Sequence, residues 1–143
     1  MKKIQLQLTL LIAAAVYMGW GLALLIAPTV AHDLISTGPY DAVSTAMFGT
    51  ALLGFMVTFL IAARDPVKEI VRAAAAAMAL IGLVAAFLVF GAKAMPLNFV
   101  TFSSVAVDLA CAGILFLTEG KLDIERHAKV GAKLTRVAAA RKK

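Results

Sequence analysis

The chain has 143 residues, 62% of them hydrophobic, and carries a formal net charge of +6. A soluble domain of this length needs a polar surface that this composition does not supply, so we expect an integral membrane protein. The single cysteine, Cys111, excludes a disulfide within the chain and a cysteine-rich metal site.

Four apolar segments of the length needed to cross a bilayer follow one another along the chain. They cover residues 5–27, 42–63, 70–91 and 97–117, and they are separated by the turn and charge signals "STGPYD", "ARDPVKE" and "AKAMP". The second helix should begin near Pro39 or Asp41, because proline suits a first helical turn and aspartate suits an N-cap. Short connections favour antiparallel neighbours, so residues 1–118 are expected to form one all-α domain with four transmembrane helices in an up-down-up-down bundle.

The distribution of basic residues predicts the orientation. Lysine and arginine lie before the first span, between the second and third, and after the fourth, whereas Lys93 alone lies on the other side. By the positive-inside rule both termini are cytoplasmic, and the net charge then needs no nucleic-acid partner. The start "MKK", an apolar run and "AAA" also resemble a signal peptide, but the run is longer than such segments, and we expect an uncleaved span.

The fourth span carries a polar seam. Thr101, Ser104, Asp108 and Cys111 are spaced by three, four and three residues, which places them on one quarter of a helix, and Asn98 lies near the outer end. A polar face is costly in lipid, so this seam should face the bundle interior and the first helix. Because polar residues become more frequent towards the outside, any cavity there should open outward.

Asp108 lies near the middle of its span, where no other span carries lysine, arginine or histidine. An ion pair within the chain is therefore not expected, and the neutral partners at similar depth are Tyr17 and Thr50. Two interpretations stay open. Either a neutral carboxyl fixes helix register through a hydrogen bond, or Asp108 binds a proton, a cation or a small polar group.

Small residues four positions apart predict close helix packing. Three pairs have this spacing: Thr50 with Gly54, Ala75 with Ala79, and Gly82 with Ala86.

No motif predicts catalysis. His32 and Asp33, with Asp41, lie in the first outer connection, and we interpret His32 and Asp33 as a solvated loop pair rather than metal ligands. Haem binding would need histidines inside the spans, and no phosphate loop or nucleophile motif is present. We therefore expect no enzyme activity, no metal and no cofactor.

The last segment, residues 119–143, is a basic tail. Its basic helical face predicts an amphipathic helix on anionic lipid headgroups at the cytoplasmic surface. That face comprises Arg126, Lys129, Lys133 and Arg136.

The motifs "GLALLIAP", "MFGTALLGF", "AAR" and "VDLACAG" make residues 10–118 similar to small bacterial four-helix membrane proteins of the DoxX-like class. The resemblance implies a four-span fold in a bacterial inner membrane and accessory roles beside membrane redox systems. Related sequences often place an arginine early in the second span to pair with the acid of the fourth. This chain has "DAVSTAMFG" there, without arginine.

Three functions follow as hypotheses. The first is a non-catalytic accessory or assembly subunit that binds a partner membrane protein or lipid, where the partner can also be a second copy of the chain. The alternative is a small carrier or channel-like protein that binds a proton, cation or small polar solute at Asp108. The third is a quinone-contacting subunit of a redox complex.

Overall fold

Residues 2–118 are described by a computed structural model, and five α-helices account for most of them. These are α1, Lys2–Ile26; α2, Pro28–Ile35; α3, Ala42–Arg64; α4, Lys68–Ala86, continued by a π-helical turn over Phe87–Gly91; and α5, Phe99–Thr118. The chain is all-helical in this part, and four helices are long and apolar enough to cross a membrane. The structure has a helix at each of the four predicted spans, with ends that differ by at most three residues. The predicted basic tail, with Arg126, Lys129, Lys133 and Arg136, lies outside the described residues.

Helix α1 packs closely on α3 because both present a glycine at the contact. A Cβ atom on Gly49 would lie 3.0 Å from the Cβ of Leu24 and 3.1 Å from the carbonyl oxygen of Gly21. Near the other end of the pair, Gln7 Nε2 donates a hydrogen bond of 2.9 Å to the carbonyl oxygen of Ala63. Contacts early in α1 thus pair with residues late in α3, so these two helices are antiparallel.

The predicted packing role of Thr50 and Gly54 is wrong. Thr50 is exposed, and its hydroxyl donates to the carbonyl oxygen of Ala46 in its own helix at 2.9 Å. A Cβ atom on Gly54 would meet no other atom within 4 Å. The close approach instead uses Gly49, which lies on a different face of α3 from Gly54.

Helix α5 contacts both α1 and α4. The α4 contact is close at Gly82, where an added Cβ would lie 2.9 Å from Leu109 Cδ2 and 3.2 Å from Asp108 Cβ. Helices α3 and α4, by contrast, contact each other little beyond their short connection. A groove therefore remains between α3 and α4.

The connection 27–41 contains a helix that the sequence analysis treats as a loop. Pro28 occupies the first turn of α2, where its missing N–H is not needed and its fixed φ favours a helix. Thr37 N and Thr37 Oγ1 each donate to the carbonyl oxygen of Ala94 at 3.0 Å, and Asn98 Nδ2 donates to that of Leu34 at 2.9 Å. These bonds join the two connections, 27–41 and 92–98, at what we call the loop end of the bundle.

The predicted start of α3 is confirmed. Asp41 is its N-cap, and its carboxylate accepts a hydrogen bond of 2.9 Å from the backbone N–H of Ser44. The hydrogen bonds from Ser44 lower the pKa of Asp41, because they stabilise the ionised form.

Candidate functional site

Asp108 is a buried carboxyl in the middle of α5, with 8% of its surface exposed. Within residues 2–118 it makes no ion pair, and burying a carboxylate without one costs several kcal/mol at least. Its side of α5 faces α1, where the nearest interacting group is the hydroxyl of Tyr17. The site therefore consists of an acid and a phenol whose polar groups face one another.

Tyr17 is held by aromatic packing between α1 and α3. Its ring meets Phe59 edge to face with centroids 5.1 Å apart, and meets Phe55 similarly at 6.0 Å. Only 3% of the residue is exposed, yet its hydroxyl has no hydrogen-bond partner in the described part of the chain. The hydroxyl and the Asp108 carboxyl interact electrostatically, but their geometry does not close a direct bond. Buried hydroxyls are nearly always paired, so this one is available to a bound group.

One turn away, Trp20 and Ser104 join the same two helices. Trp20 Nε1 donates a hydrogen bond of 3.2 Å to Ser104 Oγ, and Ser104 Oγ donates to the carbonyl oxygen of Val100 at 2.9 Å. A hydroxyl oxygen has two lone pairs, so Ser104 can accept one further hydrogen bond. Trp20 is the only tryptophan of the chain.

These groups line a cavity of about 90 Å³. Its polar lining comes from α1 and α5, and most of its apolar lining comes from α3, α4 and the two connections. The lining residues are Val16, Tyr17, Trp20, Ile35, Phe48, Leu52, Ile81, Ala85, Met95, Thr101, Ser104 and Asp108.

The cavity adjoins a larger groove of about 580 Å³ between α3 and α4. Five residues line both spaces: Ile35, Phe48, Ile81, Ala85 and Met95. That a cavity at this seam opens outward stays a prediction. Ile35 of α2 and Met95 of the 92–98 connection border both spaces at the loop end, and the groove lies between two helices that barely touch.

Of the residues predicted for the seam and as partners of Asp108, the structure brings four together and separates three. Tyr17, Thr101, Ser104 and Asp108 line the cavity. Cys111 is buried in the core one turn from Asp108 and does not line the cavity, and Thr50 points away from the interior.

Asn98 acts as a helix cap. Its Oδ1 accepts a hydrogen bond of 2.8 Å from the backbone N–H of Thr101, and the Thr101 hydroxyl accepts one of 3.2 Å from the backbone N–H of Asn98. This reciprocal pair starts α5, so the polarity of Asn98 serves local structure rather than the cavity. Trp20 was not predicted as a site residue. One sequence feature could have identified it, because it lies three residues after Tyr17 and so on the same face of α1.

The interpretation of His32 and Asp33 as a solvated loop pair is wrong in two respects. Both residues lie in helix α2, and the His32 side chain is only 13% exposed, whereas that of Asp33 is 79% exposed. His32 Nδ1 lies 3.4 Å from Asp33 Oδ1, and the imidazole lines the groove. Across residues 2–118, no group of three or more histidine, cysteine, aspartate or glutamate side chains is arranged to hold a metal ion.

No protein family, curated protein or solved structure gives a match to this chain. Its function therefore has to be argued from the cavity and the groove themselves.

Proposed function

We propose that the chain is a multi-pass protein of a bacterial inner membrane that binds a small cationic or hydrogen-bond-donating group at Asp108. In this proposal the four spans alternate in direction and both termini are cytoplasmic, in agreement with the distribution of lysine and arginine. The observation that carries the binding site is the pair formed by the buried Asp108 carboxyl and the unpartnered Tyr17 hydroxyl, which share one cavity.

A purely structural role for Asp108 fits this geometry less well. A carboxyl that fixes helix register does so through a closed hydrogen bond to another helix, and such bonds are worth about 0.6 kcal/mol on average in membranes. Here the Tyr17 hydroxyl is left without a bond although a carboxyl is near enough to interact with it. A guest that bonds both groups would satisfy them together.

Binding is supported more strongly than conduction. Beyond Asp108, in the half of the bundle away from the loop end, fully buried apolar side chains fill the interior, among them Leu10, Phe59 and Leu115. Among the described residues this packing offers an ion few polar groups, and so we favour a non-catalytic binding protein over a channel. An accessory role, in which the chain assembles with a partner membrane protein or a second copy, stays compatible with this site and stays a prediction. No feature of the cavity favours the quinone-contacting alternative.

The test compares three forms of the protein in lipid nanodiscs, with methylammonium, sodium and potassium chlorides as probes. Trp20 lines the cavity and is the only tryptophan, so its fluorescence reports occupancy. The wild type should respond saturably to at least one cation. Asp108→Asn, which keeps the shape and removes the charge, should bind at least tenfold more weakly, since a hydrogen bond to a charged group contributes about 1.5–3 kcal/mol.

Asp65→Asn is the matched control, because Asp65 is an exposed carboxyl at the far end of α3. Circular dichroism should show equal helicity for all three forms. A response that is absent in the wild type, or equal in all three, would overturn the proposal.

A further inference from the structure

The cavity and the groove adjoin one another, share five lining residues and differ in chemical character. The polar groups of the cavity come from Asp108, Tyr17, Trp20, Thr101 and Ser104, whereas the groove between α3 and α4 is lined mainly by aliphatic residues. A space with a polar inner end and a long apolar outer part matches an amphipathic molecule rather than a bare ion.

The polar end offers three hydrogen-bond acceptors and one negative charge. The acceptors are the Asp108 carboxyl, the Tyr17 oxygen and the free lone pair of Ser104 Oγ, and no cation balances the charge within the described residues. A primary ammonium group carries one positive charge and three N–H donors and has no acceptor, so its chemistry matches a set of acceptors beside a carboxyl group. The Trp20 and Tyr17 rings that border the cavity are also favourable neighbours for an ammonium ion.

The volumes of the cavity and the groove fit a ligand with a small head group and a longer apolar chain. A cavity of about 150 Å³ accommodates a benzene molecule, so one of about 90 Å³ holds an ammonium group and only a few carbons. The groove of about 580 Å³ is large enough for an alkyl chain. Its outer edge includes Leu80 and Val84, which are largely exposed on α4 and would face the lipid.

From these observations we infer that the ligand is an amphipathic amine, whose ammonium head binds Asp108 and whose apolar chain lies in the groove and reaches the bilayer between α3 and α4. The inference rests on the proposed binding function and adds the chemical class of the ligand and a lateral route from the membrane. The junction between cavity and groove is bordered by Phe48, Ile81 and Ala85.

A series of amines with increasingly long alkyl chains tests whether the ligand has an apolar chain. Methyl-, butyl-, octyl- and dodecylammonium are titrated into wild-type protein in nanodiscs, and Trp20 fluorescence is recorded. The same titrations on Asp108→Asn are subtracted, which removes the effect of amines that merely partition into lipid. Asp108-dependent binding should persist through dodecylammonium and tighten about fourfold per added methylene, measured against the aqueous concentration. Binding that stops beyond butylammonium would overturn the inference.

A plug in the groove tests the route. Val84 lines the groove but not the cavity, so Val84→Phe should weaken octylammonium binding at least tenfold and leave methylammonium binding within twofold. Leu83→Phe is the matched control, because Leu83 is exposed on the same helix and borders neither space. Should the phenylalanine at position 84 prevent folding, Val84→Leu makes the same comparison with a smaller side chain. Equal binding of octylammonium by the plugged and control variants would refute the lateral route.

The outcomes separate the two proposals. Asp108-dependent binding of methylammonium without binding of octylammonium would refute the amphipathic ligand and leave the proposed function standing. The absence of an Asp108-dependent response to every amine and every alkali cation would refute both.

Discussion

The contact between α1 and α3 predicts different effects on stability of the same substitution at two glycines of α1. A Cβ atom on Gly21 would lie 2.7 Å from Leu53 Cδ2 and 3.0 Å from the carbonyl oxygen of Gly49. The leucine end can move aside, but the backbone oxygen can move only if the helices separate. A Cβ atom on Gly19 would meet nothing within 4 Å, so Gly19→Ala is the matched control for Gly21→Ala.

The magnitude follows from two effects. Alanine is favoured over glycine in a helix by about 1 kcal/mol, and this gain applies to both positions because both lie inside α1. Overpacking a close contact costs typically about 1–3 kcal/mol, and only Gly21→Ala incurs it. The free energy of unfolding should therefore be lower for Gly21→Ala than for Gly19→Ala by about 1–3 kcal/mol.

The assay is unfolding by sodium dodecyl sulfate in lipid-containing micelles, followed by far-ultraviolet circular dichroism. Gly19→Ala should unfold above the wild-type denaturant fraction, and Gly21→Ala clearly below the fraction at which Gly19→Ala unfolds. Equal stability of the two variants, or a more stable Gly21→Ala, would show that the helices do not approach closely at this residue.

Two further predictions concern helix caps. Hydrogen bonds from Ser44 lower the pKa of Asp41 in the folded protein. The ionised Asp41 carboxylate therefore stabilises the fold fully at pH values above its ordinary pKa of 3.8, and this stabilisation is lost as the pH falls through the lowered folded-state pKa. The wild type should therefore lose stability relative to Asp41→Asn, which caps without titrating, when unfolding is measured from pH 7 downward; parallel curves would contradict this. Asn98→Ala should cost about 1–2 kcal/mol by removing the cap of α5, whereas Asn98→Asp should retain the cap and lose only the bond to Leu34, so equal losses would contradict the capping role.

Features that depend on local sequence were predictable. The lengths of the four apolar segments place the long helices, and the aspartate before α3 marks its first turn, because both depend on groups within a few residues of one another. Which residues of α5 share one side of the helix also depends only on local sequence. Helical spacing alone places Thr101, Ser104 and Asp108 on one side of α5, and all three line the cavity.

Other features depended on which helix faces meet, and here sequence reasoning failed. Thr50 and Gly54 have the spacing of a packing pair, yet Gly21 and Gly49 make the contact between α1 and α3. In lipid every apolar face is equally acceptable to the surroundings, so the rotation of each helix is decided by steric fit with its neighbours. Pattern and spacing contain no information about that fit.

By itself, the sequence determined that four long apolar helices form and that an acid sits unpaired in the middle of the last one. Only the tertiary structure decided that Tyr17 faces this acid without a bond of its own and that α3 and α4 stand apart beside it. The physical reason is the separation along the sequence of the residues that interact. Helix formation follows from neighbours along the chain, whereas the cavity and its groove arise from gaps between helices, which exist only once the helices have packed.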